Sequence, residues 1–219
     1  MRRCSHKTPQ PYHVDVDETI EALGFFHIPN VIHIPEEEEA SIRKVRTRPI
    51  FNNSGSNDRK RHQGAISETR IPLLMAQVRA IMSKLYPNLV ATDPVLLRSR
   101  PGCSVQKAHT DYIPHTLTCL SGRDVPRGAL IALENGTSWE VWPGSHRRIT
   151  SPIEKRQLLL SRGDIVFFRG DVIHAGSAYK EANVRVHIYL DHPLVARDTN
   201  RTWVVRRHAS PELQANILE

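Results

Sequence analysis

Apolar positions recur with two different periods along this 219-residue chain, and the change of period divides it. Up to about residue 92 the texture is helical. Leu74, Val78, Ile81, Met82 and Leu85 fall at helical spacing, which predicts a helix over Pro72–Leu85 with those five side chains in the core. A short helix is expected over Asp15–Leu23, stopped by Gly24. Another opens after Pro35, with Glu36 to Glu39 at its positive end and Arg43, Lys44 and Arg46 at its negative end. Phe25-Phe26-His27-Ile28-Pro29 reads as an extended segment between them. From Thr47 to Ser67 no period survives. Asn52-Asn53-Ser54-Gly55-Ser56-Asn57 and Arg59-Lys60-Arg61-His62 predict a long, polar, basic loop.

Beyond Asp93-Pro94 the period shortens. Runs of Val, Ile, Leu, Thr and Phe alternate with Pro, Gly, Asn and Asp, and predict strands near 95–99, 104–109, 116–120, 129–133, 138–142, 156–160, 164–168, 171–175 and 184–190. So many short strands at regular spacing indicate a sandwich or barrel, not a parallel sheet with crossover helices. The expectation is a loose arm over 1–14 and one domain over 15–219. That domain has a helical layer to about 92, an all-β core to about 192 and a C-terminal extension over 193–219. In the strand 184–190, Val184, Val186, Ile188 and Leu190 share one face, and Arg185, His187 and Tyr189 share the other. The polar set faces either solvent or a polar barrel interior.

Composition narrows the class. Apolar residues are 39%, charged residues 24% and the mean hydropathy is −0.41, which is a globular composition. The longest apolar run, Ala129 to Leu133, is too short for a membrane-spanning helix. The N-terminal basic residues have no apolar stretch behind them, so no secretory signal is expected. Cys4, Cys103 and Cys119 are scattered and form neither a CxxC nor a zinc spacing, which suits a reducing intracellular compartment, cytoplasmic or nuclear. Lys and Arg exceed Asp and Glu by 30 to 23, giving a net charge of +7. A basic surface of this kind either draws an anionic partner or is simply solvated. Nucleic acid would be held by the basic stretch 43–62.

His109-Thr110-Asp111 supplies the first chemistry. In extended chain, side chains at i and i+2 share a face, so the imidazole and the carboxylate can reach one cation. A third nitrogen ligand would complete the two-histidine, one-carboxylate set of non-haem Fe(II) oxygenases, which leaves three coordination positions open. His174 lies 63 residues beyond Asp111, at the end of the apolar run Ile165-Val166-Phe167-Phe168 and the turn after it. Eleven residues further on is Arg185, on the polar face of the last strand. A guanidinium grips a carboxylate with two parallel hydrogen bonds, which suits the distal end of a dicarboxylate such as 2-oxoglutarate.

The ordered set His109-x-Asp111, Asn135-Gly136, Trp142-Pro143-Gly144-Ser145-His146, Gly163-Asp164, His174-Ala175-Gly176-Ser177 and Asn183-x-Arg185 resembles the phytanoyl-CoA dioxygenase-like branch of the Fe(II)/2-oxoglutarate dioxygenases. Gly24 to Pro29 also looks like that family's opening strand. The resemblance implies a double-stranded β-helix, a jelly-roll-like barrel with helices packed on one side. It implies Fe(II) held by His109, Asp111 and His174, 2-oxoglutarate anchored by Arg185, and O2 as the oxidant. Asp111 implies hydroxylation over halogenation, since the related halogenases lack that carboxylate. Substrate identity is not carried over. Gln106, Tyr112, His115 and His187 are candidate pocket residues by proximity in sequence; His146 reads as part of a structural corner, outside the filled triad. Small-molecule hydroxylation is the leading expectation. A nucleic-acid base demethylase is the alternative, although the second arginine that AlkB-type enzymes carry six residues after the first is here Asp191. A non-catalytic jelly-roll binding protein is the third.

Overall fold

The computed structural model describes residues 16–51, 57–120, 122–147, 154–198 and 202–205. The expected arm 1–14 and the residues beyond 205 lie outside the described residues, as do Cys4 and Asn52 to Ser56. In chain order the first elements are α1 (Val16–Leu23), β1 (Phe25–Ile28), α2 (Glu36–Arg43), β2 (Arg48–Phe51), β3 (Asn57–Ala65), α3 (Pro72–Leu85) and β4 (Val90–Ser99). There follow β5 (His109–Thr110), β6 (Arg127–Ala132), β7 (Thr137–Val141), β8 (Arg156–Leu160) and β9 (Ile165–Arg169). The last are β10 (His174–Gly176), β11 (Asn183–Asp191) and β12 (Trp203–Val204).

The strands form two antiparallel sheets, a seven-stranded one ordered β1-β9-β6-β11-β4-β3-β2 and a five-stranded one ordered β12-β5-β10-β7-β8. This is the double-stranded β-helix. One face of the larger sheet carries Ala129, Ile131, Ile165, Phe167, Val184, Val186, Ile188 and Leu190 against Ile20, Ile42, Leu74, Met75, Val78 and Met82 of the helices. Its other face sets Leu130, Ala132, Val166 and Phe168 against Trp139, Val141 and Leu160 of the smaller sheet. Strands β6 and β9 are therefore buried on both faces, which explains why their sequences read as unbroken apolar runs. Each Val, Leu, Ile or Phe side chain buried here is worth about 1.5–3 kcal/mol.

Helix α3 runs where the spacing predicts, with Leu74, Val78 and Met82 buried and Ile81 and Leu85 packed at the margin. Its N-terminus is capped from a neighbouring helix. Glu38 of α2 accepts from Leu73 N at 2.6 Å and Leu74 N at 2.9 Å, so one member of the acidic run at 36–39 is buried. Helix α1 stops at Gly24, whose φ of +86° lets the chain reverse into β1.

Five expectations are corrected. Among the described residues of the expected loop 47–67, most are strand, and so is most of the described part of the basic segment 43–62. Strands β2 and β3 pair with each other, and β3 pairs with β4 in the larger sheet. Hydrophobic alternation does not mark β3, because the face turned into the barrel carries Arg61, not an apolar side chain, and the opposite face carries His62 and Gly64. The strand expected near 116–120 is a 3-10 turn over Pro114–Leu117, where Pro114 removes a ladder donor and only Leu117 is buried. The strand expected over 104–109 shrinks to His109–Thr110, and the one near 171–175 shifts to His174–Gly176. Strand β4 also starts earlier than predicted, at Val90, and passes through Asp93 at a φ of +44°.

The motif Pro143-Gly144-Ser145-His146 is a corner that ties elements together. Gly144 N donates to Leu23 O at 2.8 Å, Ser145 Oγ accepts from Ile173 N at 2.8 Å, and His146 Nε2 lies 3.0 Å from Glu21 O. It thus anchors α1 and fixes the approach to His174. Asp164 fastens a second corner by accepting from Asn30 N and Ser161 N at 2.8 and 2.9 Å, with His27 Nε2 at 2.9 Å. Burial opposes its ionisation, but these bonds hold its pKa below the usual carboxylate value.

Candidate metal centre

Register brings the two candidate histidine ligands together. In the smaller sheet β5 and β10 are antiparallel, and His109 lies directly opposite His174. Their rings are 4.5 Å apart between centroids. Asp111 leaves β5 at a turn where both its own N–H and that of Tyr112 donate to Gly170 O at 3.0 Å, which swings the carboxylate towards the two rings. One ligand atom from each of His109, Asp111 and His174 lies within 4.8 Å of the others, and all three residues are buried.

Both histidines are oriented by the backbone. His109 Nδ1 meets Lys107 O at 2.8 Å and His174 Nδ1 meets Val172 O at 3.0 Å. That places the proton on Nδ1 in each ring and leaves the Nε2 lone pair for a cation. Burial lowers both pKa values to about 4, with His174 adding to the effect at His109, so both rings are neutral and able to coordinate at neutral pH. The donor set fits a divalent transition metal: two neutral imidazoles and one carboxylate on one side of a common point. Trp139 and Phe168 pack on His174, with centroids 5.4 and 4.8 Å away, and make the wall around it apolar.

Arg185 lies on β11, facing the smaller sheet, only 3% exposed. Its Nη1 donates to Ser99 Oγ at 3.1 Å and its guanidinium lies 5.4 Å from the Tyr179 ring centre. Among the described residues no carboxylate pairs with it. The place above Gly176, two residues beyond His174, is crowded with polar groups. A Cβ there would come within 2.6 Å of Gln106 Oε1, 2.7 Å of Arg61 Nη1 and 3.2 Å of Arg185 Nη2. Only glycine leaves that space open.

Of the proposed pocket residues, Gln106 is therefore beside Arg185, its Oε1 accepting from Gly176 N at 2.9 Å. His187 is beside the metal cluster, with Nε2 3.5 Å from Asp111 Oδ2; burial pushes its pKa to about 4 as well. Tyr112 is buried with its hydroxyl on Asp191, in a small cluster with Leu117 and Val125. His115 is exposed on the 3-10 turn. Arg61 was missed by sequence reasoning. It is 1% exposed and donates to Ser104 O, to Gly176 O at 3.1 Å and to Ser177 O. Ser99 was missed too. A strand assignment for β3 would have exposed both, since Arg61 and Ser99 are cross-strand partners.

Solved structures share this architecture. The non-heme alpha ketoglutarate dependent epimerase SnoN from nogalamycin biosynthesis superposes with a TM-score of 0.63 at 16% identity, covering 89% of this chain and 93% of that one. The architecture is common to both. HygX from Streptomyces hygroscopicus, with nickel and 2-oxoglutarate bound, gives 0.64 at 13% identity over 82% and 87% of the two chains. A Pseudomonas putida prolyl-4-hydroxylase gives 0.58 at 13% identity over 81% and 97%. No family model matches the sequence, and no curated protein matches it. At these identities the likeness carries the fold, and the chemistry has to be argued from the residues.

Proposed function

We propose that this protein is an Fe(II)- and 2-oxoglutarate-dependent oxygenase that hydroxylates a C–H bond of a small molecule. The balance is one substrate C–H, one O2 and one 2-oxoglutarate giving C–OH, succinate and CO2. The observation that carries the reading is the joint one. A two-histidine, one-carboxylate cluster and a buried guanidinium, Arg185, with no carboxylate partner among the described residues, occupy one barrel, linked through the three-residue strand His174–Gly176. Structures of the same fold support it: SnoN has been solved with Fe3+ and alpha ketoglutarate, and HygX with nickel and 2-oxoglutarate. The ordered motifs favour the phytanoyl-CoA dioxygenase-like branch.

His109, Asp111 and His174 would hold the iron, which when bound supplies activation of O2 and of the 2-oxo acid. The chain's residues do the rest. Arg185 would take the far carboxylate of 2-oxoglutarate and fix its reach towards the metal ligands. Gln106 and Ser99 line that end, and Gly176 keeps the passage open. Trp139 and Phe168 exclude water from the face of His174.

A small substrate is preferred to nucleic acid because the basic stretch is less exposed than its sequence suggests. Arg61 and His62 are buried, and Arg43 is paired with Glu39 at 2.7 Å and Glu134 at 2.9 Å. The test is metal-dependent turnover. Purified protein with Fe(II), ascorbate and 2-oxoglutarate should produce succinate, and should bind one Mn(II) per chain in place of iron. His109→Ala and His174→Ala should each lose both properties without loss of the folded barrel. Succinate production that survives in both variants would refute the assignment.

A further inference from the structure

Two buried polar atoms face each other on the far side of the metal cluster. Asp111 Oδ1 is turned towards His174, 3.6 Å from its Nε2, while Oδ2 lies 3.5 Å from His187 Nε2. Neither Oδ2 nor His187 Nε2 has a hydrogen-bond partner among the described residues. His187 is not itself one of the three residues whose donor atoms converge. A buried donor or acceptor left without a partner costs about 1–3 kcal/mol, and these two atoms lie 3.5 Å apart.

The imidazole is held in that direction by its neighbours. It stacks on Phe168 at 5.7 Å and 21°, and meets the Tyr189 ring edge-on at 4.3 Å and 80°. Its slot depends on Gly128, which pairs with Tyr189 across β6 and β11. A Cβ at Gly128 would come within 2.8 Å of His187 Nε2 and would collide with the Phe168 ring. The absence of a side chain at one strand position thus lets a histidine reach the carboxylate.

We infer that His187 is a positioning residue for the carboxylate ligand: its Nε2–H is directed at Asp111 Oδ2 and holds the carboxylate so that Oδ1 alone faces the metal. The inference rests on the oxygenase reading and adds a residue to it. Binding through both oxygens would consume one of the positions that a facial set leaves open for cosubstrate and oxygen. A hydrogen bond from His187 to Oδ2, formed as the 3.5 Å separation shortens around a bound cation, would prevent that rotation. Partners of this kind typically change metal affinity by 10–100-fold.

The experiment is Mn(II) titration of the intact chain, followed by EPR of the free ion, without turnover. His187→Phe should weaken Mn(II) binding about 10–100-fold. His187→Gln, whose amide nitrogen can replace the donor, should recover most of the loss. Pulsed EPR on the Mn(II) protein should detect the same two imidazole nitrogens in wild type and in His187→Gln. Equal affinity in wild type and His187→Phe would overturn the inference, and so would the loss of a coordinated nitrogen in His187→Gln. If His187→Phe does not fold, His187→Leu carries the test, because it removes the donor with a smaller apolar side chain. Weakened Mn(II) binding is expected there, and unchanged affinity would overturn the positioning role. Wild type that binds no Mn(II) would remove the oxygenase reading first, so the two failures are distinguishable.

Discussion

Arg61 and Arg185 meet on one hydroxyl: Nη1 of each donates to Ser99 Oγ, at 3.4 and 3.1 Å. The two guanidinium groups nevertheless have different work. Arg61 is committed to backbone, donating to carbonyls at Ser104, Gly176 and Ser177 that belong to the strand carrying His174 and the loop leading to His109. Among the described residues Arg185 donates to neutral acceptors only, Ser99 Oγ and Asn183 Oδ1, the latter at 3.5 Å.

Different losses follow from the two substitutions. Arg185→Leu should raise the 2-oxoglutarate Kd at least 100-fold and leave Mn(II) binding nearly intact. Arg185→Lys should keep the charge but lose the paired geometry, with an intermediate effect. Arg61→Gln should act mainly on stability, lowering it by about 2–4 kcal/mol, because several buried carbonyls lose their donor. Anaerobic 2-oxoglutarate titration of the Fe(II) protein, read by the metal-to-ligand absorption band, and urea unfolding separate the two. A purely cosubstrate-specific effect of Arg61→Gln would contradict this division.

The contrast between these two arginines also explains what could be read from the chain alone. Arg185 was legible because its strand alternates cleanly, with Val184, Val186, Ile188 and Leu190 packed against the helices. The triad was legible because His-x-Asp is local and extended chain puts both groups on one face. Arg61 was not, because β3 places polar residues on both faces and hydrophobic periodicity cannot report a strand that lines a polar interior. His187 was visible only as a neighbour of Arg185 in sequence. Its approach to Asp111 depends on how β11, β6 and the turn after β5 come together, which no local pattern encodes.

The metal-free protein should lose stability on mild acidification. His109, His174 and His187 are each pushed by burial from an ordinary value of 6.5 to about 4. The folded pKa lies below the unfolded one, so the unfolded chain takes up more protons. The stability from these rings is complete above about pH 6.5 and is lost as pH falls towards about 4. Urea midpoints in EDTA at pH 7.5, 6 and 5 should fall progressively, and His187→Gln should flatten the slope. A midpoint that holds steady down to pH 5 would contradict neutral burial of the three imidazoles.

On the surface of the hairpin, Arg59 and Lys60 remain exposed. If they merely solvate the surface of this hairpin, replacing both with Ala should leave succinate production and thermal stability close to wild type. Binding to single- or double-stranded oligonucleotides at 150 mM salt should be absent in both proteins. Tight binding whose log–log salt slope drops by roughly 0.7–0.9 per charge removed would restore the nucleic-acid substrate.

The most counterintuitive expectation concerns Arg127, at the start of β6. It is fully buried, its guanidinium carbon lies 4.1 Å from the Tyr86 ring centre, and Nη2 donates to Gly122 O at 2.7 Å. Nε and Nη1 have no hydrogen-bond partner among the described residues, and Glu21, 3.7 Å from Nη2, also serves Arg169 at 3.1 Å. Burial accordingly depresses the Arg127 pKa. Two contributions oppose each other here. Desolvating a guanidinium with nitrogens left over costs several kcal/mol, whereas stacking over Tyr86 returns about 2 kcal/mol when dry. Methionine fills similar volume without a charge, and Glu21 keeps Arg169 as its partner after the change. Arg127→Met should therefore stay within about 1 kcal/mol of wild type or exceed it, as buried ion pairs replaced by apolar side chains often do. Arg127→Ala, which leaves a cavity beside Tyr86, should cost about 2–5 kcal/mol. Urea unfolding of the two variants decides the matter: a loss of 3 kcal/mol or more in Arg127→Met would mean that the buried charge, not its volume, stabilises the end of this barrel.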